Sequence, residues 1–496
     1  MRKKKLAKNT ISSFVLQITV IICGFIVPRL ILGHFGSDVN GLVNSITQFL
    51  SIVTFMEFGV GTVLQSSLYK PLADHDNEEI SKMFVSGHRF FRKIGNILLG
   101  YVVVLFFIYP FISNSEFGFI YTGTLIVAMS ISTFAQYYFG LAERILLSAD
   151  QRGYVQNICH IVLSIANTLS CVVLIRLNAP IQIVKLATSL IYAVRPLVLR
   201  IYVDRHYTID RKIEFEGEPI KQKWDGVAQH LASILIDGTD HIVLTVFSTF
   251  ANVSIYSVYY LVENGLKQLL TALTGGVQSL LGELWAKKEI DTLNSVFSWT
   301  EWLLHSVTLF FFGCAAVLIL PFVMVYTEGI VDANYNQPLF ALLLTIAHGI
   351  HCLRLPYNIT VLAGGKYKET KGAYILAAAI NVVVSVSCVN FLGLIGVAIG
   401  TICSMTFHTC WLAYYVSKDM MGRPYSAFLK QMGVDILTFV LIYNIAGRFA
   451  HIVDGYLQWV LTGFPVAFTT LFIMLIVNLV FYPGMVKTLL KKVFRR

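Results

Sequence analysis

Long apolar runs follow one another along the whole of this 496-residue chain. They restrict its fold more than any other feature of the sequence. A helix needs about 20 apolar residues to cross the ~30 Å hydrocarbon layer of a membrane, and each run reaches that length. The runs cover residues 9–33, 41–68, 94–114, 118–142, 154–175, 181–203, 226–249, 254–284, 297–326, 338–363, 372–392, 395–416, 431–450 and 457–485. The pattern predicts an all-α polytopic membrane protein with about 14 transmembrane helices.

The composition agrees with a membrane protein. Hydrophobic residues make up 56% of the chain and charged residues only 13%, whereas about a quarter of an ordinary soluble domain is charged. No small-residue cleavage site follows the first run, so we expect it to be retained as a helix. The eight cysteines are scattered through apolar runs without C-x-x-C spacing. We therefore predict neither a metal site nor a redox cofactor.

The basic residues predict the orientation of the helices. Five of them precede the first run, and the others concentrate in every second connection and in the C-terminal tail. Because cytoplasmic loops carry an excess of Lys and Arg, both chain ends are predicted to be cytoplasmic. Attraction between these residues and anionic lipid headgroups accounts for the net charge of +10 without a nucleic-acid partner.

Weak internal similarity indicates two halves of the same plan. HFGSDVNGLVNSI at 34–46 resembles TFANVSIYSVYYL at 249–261. The predicted organisation is an N-lobe at 1–203, a cytoplasmic linker at 204–224, a C-lobe at 225–417, and two further helices with a basic tail at 418–496. Six-helix lobes that enter the membrane in the same direction are related by a pseudo-two-fold axis along the membrane normal, as in two-lobed transporters.

Several cationic side chains lie within the apolar runs, where a charge is costly and usually faces an aqueous cavity. Our candidates for a cationic substrate site are Arg29, Lys267, Arg354 and Arg195. Lys267 is about 20 Å from its helix end at 1.5 Å per residue, too deep to reach the surface easily. Lys185 and Glu301 lie near helix ends, and we interpret both as side chains that extend to the surface. Clustered cations in a cavity predict an anionic ligand such as phosphate.

Acidic side chains at similar depth are candidates for gating or ion coupling. Asp237, Asp240 and His241 share one helix face, and they either bind a proton or small cation or form a satisfied polar seam. Glu263 precedes Lys267 by one turn, so the two residues can neutralise each other. Glu57 lies mid-helix, and its pairing, gating and ion-binding roles stay open. Coupling to a proton or sodium gradient is expected from these acids.

No enzyme motif is present: the sequence lacks H-E-x-x-H, a P-loop and G-x-S-x-G. A membrane glycan polymerase or lipid-sugar transferase would need a large outer loop, and the predicted outer loops are short. A multidrug-type cation exporter remains an alternative, because it would use the same architecture with a mostly acidic cavity. We predict a transporter and not an enzyme.

One segment, residues 28–76, resembles a known family. It contains Pro28 and Arg29, the turn F-G-x-x-x-x-G at 35–41, E-x-G-x-G at 57–61 and L-Y-K-P-L-A at 68–73. These motifs resemble bacterial polysaccharide transporters, the O-antigen or capsule repeat-unit flippases of the multidrug/oligosaccharidyl-lipid/polysaccharide exporter superfamily.

This resemblance implies movement of undecaprenyl-diphosphate-linked oligosaccharides across the bacterial cytoplasmic (inner) membrane by alternating access. Arg29 matches the first-helix arginine of the family pattern, and Lys267 stands where a cationic residue is common. The implied partners are the lipid-linked oligosaccharide, membrane lipids, and a polysaccharide polymerase or glycosyltransferases.

Overall fold

The computed structural model describes residues 2–112, 117–215, 238–450 and 453–494, and every regular element within these ranges is a helix. The chain forms two compact units. Unit 1 comprises residues 1–234 and 249–253, and unit 2 comprises residues 235–248 and 254–496. The predicted all-α class is confirmed, while the predicted lobe boundaries stay a prediction.

Unit 1 is built from seven described helices. They are α1 Arg2–Ser51, α2 Phe55–Asp74, α3 Asn77–Ile112, α4 Phe119–Phe139, α5 Leu141–Ala149, α6 Gly153–Arg176 and α7 Ile181–His206. Helix α7 packs on α4 and α6, α1 packs on α6, and α3 packs on α4. The apolar side chains buried between these helices form the core of the unit.

The described helices of unit 2 follow. They are α8 at 238–247, α9 Phe250–Ala272, α10 Gly275–Ala286, α11 Ile290–Tyr326, α12 Pro338–Leu353, α13 Leu355–Ala363, α14 Tyr367–Leu392, α15 Leu394–Tyr415, α16 Ser426–Ala446, α17 Tyr456–Phe481 and α18 Pro483–Phe494. Helix α15 packs on α12 and α14, and α11 packs on α12, α16 and α17. A single 3₁₀ turn, Gly447–Phe449, follows α16.

Several predicted helices are broken, and residues with special backbone behaviour mark some of the breaks. Gly36 has φ 85°, a conformation open to glycine, and it divides α1 near the predicted end of the first run. The predicted run 118–142 divides at Gly140, where an added β carbon would lie 2.8 Å from the Pro196 side chain. The run 338–363 divides at Arg354, two residues before Pro356, whose nitrogen cannot donate a helical hydrogen bond.

Eleven helices in the described part of the chain are long and apolar enough to cross a membrane. Counting by hydropathy alone gave about 14 runs, and the difference has identifiable sources. The predicted run 254–284 is shared between α9 and α10, and half of the run 226–249, residues 226–237, lies outside the described ranges. The chain is a multi-pass helical membrane protein.

Candidate functional site

A cationic cluster in unit 2 forms around the break between α12 and α13. Arg354 stands at this break and is only 4% exposed. Its Nη2 lies 3.2 Å from Nδ1 of His351, one turn earlier, and its Nη1 contacts Nδ1 of His408 on α15. Tyr374 on α14 packs edge-on against His408. The guanidinium therefore contacts histidines of α12 and α15, and α14 packs behind one of them.

Lys267 on α9 belongs to the same cluster. It is 8% exposed, and its Nζ lies 5.8 Å above the ring of Tyr260. Tyr260 in turn contacts His348 of α12 at a ring distance of 5.4 Å. His348 lies three residues before His351, which contacts Arg354, so side chains of α12 connect Lys267 and Tyr260 to the guanidinium. Both cations are thus buried in unit 2, and their role as a substrate site stays a prediction.

Glu263 is fully buried one turn before Lys267. Its Oε1 accepts a hydrogen bond of 2.7 Å from the hydroxyl of Thr345 on α12. A buried carboxyl group is stabilised by such a donor, because burial without one costs several kcal/mol. Glu263 therefore anchors α9 to α12 beside the cationic cluster.

An apolar cavity of about 500 Å³ lies on the other side of α12. Helix α12 lines it with Ile346, Gly349, Ile350 and Leu353, while α11, α15 and α16 supply the remaining walls. Thr345 lines the cavity and also binds Glu263. Helix α12 thus separates a cationic cluster from an almost entirely apolar space, an arrangement suited to a ligand with an anionic head and an oily tail.

Two of the three residues of the predicted polar face on α8, Asp240 and His241, lie in the described part of the chain. Asp240 is 2% exposed, and its Oδ2 accepts hydrogen bonds of 2.7 Å from Tyr256 and from Thr401 on α15. His241 Nε2 lies 3.2 Å from the hydroxyl of Ser257. Asp240 therefore lies in an oxygen-rich junction of three helices. Asp237 lies outside the described residues.

Unit 1 contains two adjoining polar cavities that share Ser132 and Thr133. The first, of about 260 Å³, is lined by Arg195 and Arg144. It lies where Gly140, at the break between α4 and α5, meets Pro196. The close approach at Gly140 brings these two arginines to one cavity.

The second cavity of the pair has a volume of about 330 Å³ and is lined by Lys185. Lys185 is half-buried and lines this cavity of unit 1, while its extension to the membrane surface stays a prediction. The position of Lys185 near a helix end did not indicate this cavity, because the cavity forms only where α7 packs against α4.

Arg29 is half-buried on α1. Its Nη1 would lie 3.2 Å from a β carbon added at Gly33, so the side chain runs along α1 towards Gly36. The structure places Arg29 and Arg195 in unit 1, and Lys267 and Arg354 in unit 2. The side chain of Glu57 lies outside the described residues, so its role stays a prediction.

A buried ionic network in unit 2 was missed by sequence reasoning. Glu301 is 5% exposed; its Oε2 lies 2.8 Å from Nη2 of Arg423 and its Oε1 accepts a 2.5 Å hydrogen bond from Tyr357. One turn later, His305 Nδ1 lies 2.6 Å from Oδ2 of Asp435 on α16. Glu301 thus does not extend to the surface as predicted, because its partners come from distant segments.

No protein-family model and no curated protein matches this chain. Solved structures do. The lipid II flippase MurJ in an inward closed conformation superposes with a TM-score of 0.68 at 14% identity, covering 96% of this chain and 99% of MurJ. The chain has a MurJ-like fold.

Multidrug transporters share this fold. An inward-facing multidrug resistance MATE family transporter of the MOP superfamily superposes with a TM-score of 0.63 at 13% identity, covering 82% of this chain and 98% of that protein. The Vibrio cholerae MATE transporter VcmN in its bent form gives 0.56 at 14% identity, with coverage of 83% and 96%. The MurJ-like fold is thus common to proteins described as flippases and as drug transporters.

Proposed function

We propose that this protein moves a lipid-linked oligosaccharide diphosphate across the cytoplasmic membrane for surface polysaccharide synthesis. The main observation in support is the arrangement around α12, where Lys267 and Arg354 lie near one face of the helix and the apolar cavity lies at the other. Guanidinium and ammonium groups complement phosphate oxygens, and an apolar channel wall suits a polyprenyl chain. The MurJ-like fold supports this choice, because MurJ itself is described as a lipid II flippase.

Charge compensation explains why such a carrier is needed. A diphosphate loses its hydration in hydrocarbon, at a cost of many kcal/mol when no partner replaces the water. Buried cations supply that replacement while the lipid tail stays in an apolar environment. Unit 1 has cations of its own, the arginines and lysine that line its two polar cavities. Alternating access moves the headgroup without covalent chemistry.

Coupling to an ion gradient belongs to the same proposal. Asp240 offers a carboxylate beside the hydroxyl groups of Tyr256 and Thr401, and hydroxyl and carboxylate oxygens are ligands for hard cations. Binding of sodium or a proton at Asp240 would change the junction of α8, α9 and α15. The ion gradient would then bias one conformation of unit 2 over the other.

The transport test uses reconstituted vesicles that carry a fluorescent undecaprenyl-diphosphate oligosaccharide. Lys267→Ala and Arg354→Ala should each abolish its movement between leaflets, and should abolish surface glycan in a complementation assay. Lys371→Ala, which removes an exposed cation from α14 of the same unit, is the matched control and should leave transport unchanged. Full activity of both variants of the cationic cluster would refute the assignment.

A multidrug-type cation exporter is the second candidate, favoured by the buried carboxyl groups of Glu263 and Asp240. It predicts efflux of an organic dye cation from the same vesicles, with strong loss in Glu263→Gln and little effect of Arg354→Ala. The two candidates therefore respond in opposite ways to replacement of the acid and of the arginine. Flanking glycosyltransferase genes would favour the flippase.

A further inference from the structure

A separate cationic cavity in unit 1 shares no lining residue with the two polar cavities described above. It has a volume of about 260 Å³ and lies between the first half of α3, the last turns of α7 and the segment that follows α7. Its walls are Phe84, Val85, His88, Arg89, Arg92, Arg200 and Arg211. Four arginines and a histidine thus converge on one space, and none of these lining residues carries a carboxylate.

Aromatic rings hold three of the arginines. Arg89 lies 4.9 Å above the ring of Phe215, and Arg92 lies 4.9 Å above the ring of Tyr138. Arg211 lies 5.2 Å above Phe84, which is itself a wall of the cavity. A ring that covers the flat face of a guanidinium leaves the in-plane N–H donors for another acceptor.

Two carboxylates outside the cavity fix Arg211 further. Its Nη1 lies 3.3 Å from Oε1 of the fully buried Glu143, and its Nη2 lies 2.6 Å from Oδ1 of Asp204. The Nε atom of Arg200 is 3.8 Å from the other oxygen of Asp204. Burial raises the pKa of the Glu143 carboxyl group, with Arg211 acting against this shift. Four arginines against two acids leave the cavity positive.

The position of the cavity points to a lipid as the source of the anion. Arg92 lies two residues before the apolar run that begins at residue 94, which is about 3 Å along a helix. Side chains at this depth lie among lipid headgroups, where arginine-rich pockets bind anionic lipids. We propose that this cavity binds the phosphate group of an anionic phospholipid, in a site independent of the transported substrate.

Binding by bidentate guanidinium–phosphate contacts makes a specific prediction about the side chains involved. In the intact purified protein in neutral detergent, dioleoylphosphatidylglycerol should bind in native mass spectra while dioleoylphosphatidylcholine should bind far more weakly. Arg89→Gln and Arg92→Gln should each weaken phosphatidylglycerol binding about tenfold. Lys93→Gln is the matched control, because Lys93 is exposed on the same helix but does not line the cavity.

The same samples test whether the substitutions disturb the fold or only the binding of the lipid. Arg89 and Arg92 are exposed, so the unfolding temperatures of their variants without lipid should match the wild type. Arg92→Lys keeps the charge but loses the planar donor pair, so it should bind with intermediate affinity.

Three results would overturn the proposal. The first is equal phosphatidylglycerol binding by the wild type and the double Arg89→Gln/Arg92→Gln variant, and the second is equal binding of the two lipids. The third is displacement of the lipid by millimolar inorganic phosphate, which would assign the site to a soluble phosphate. None of these measurements uses a transport substrate, so failure of the proposed flippase function would not affect them.

Discussion

Replacing Glu301 by glutamine tests the buried ionic network of unit 2. The carboxylate binds both Arg423 and Tyr357 and is 5% exposed. Glutamine keeps the size of the side chain but removes the charge, so Arg423 loses its counter-ion in a largely dehydrated position. Removing one partner of a buried ion pair costs about 3–5 kcal/mol. Glu301→Gln should therefore destabilise unit 2 strongly.

Thermal unfolding of the purified protein, followed by tryptophan fluorescence, measures this effect. About 3 kcal/mol corresponds to a fall in unfolding temperature of roughly 6 °C or more for a unit of this size. Glu283→Gln is the control, because Glu283 pairs with Lys287 on an exposed face of α10 in the same unit. Solvent screens that pair, so its loss should leave the unfolding temperature unchanged. Equal falls in unfolding temperature for the two variants would show that the burial of Glu301 does not determine its contribution to stability.

Three further predictions concern the other sites of unit 2. Asp240→Asn should abolish the dependence of vesicle transport on a sodium or proton gradient, and an unchanged gradient response would remove Asp240 from the coupling site. Gly400→Ala places a β carbon 2.0 Å from Oγ of Ser385 and should lower stability by about 1–3 kcal/mol; Gly433→Ala, which meets no atom within 4 Å, should not. Ile350→Trp should fill part of the apolar cavity and reduce transport of the lipid-linked substrate at an unchanged unfolding temperature.

The candidate site was predictable in part. Lys267 and Arg354 could be selected because a charge deep in an apolar run has few stable positions other than a protein interior. The histidines around Arg354 and the apolar cavity behind α12 could not be selected, since His348, His351 and His408 carry no such signal in the sequence. Glu301 shows the opposite error: its position near a helix end predicted exposure, but Arg423 and Tyr357 from distant segments bind its carboxylate in the interior of unit 2.

The membrane-spanning, all-helical character of the chain followed from the sequence alone. Each apolar run partitions into a membrane according to its own length and composition, so local residues are enough to predict it. The tertiary structure decided which charges share a cavity and which acids hold which arginines. These features depend on contacts between helices that are distant in the chain, and the free energy of such contacts is set by packing and dehydration that no single segment contains.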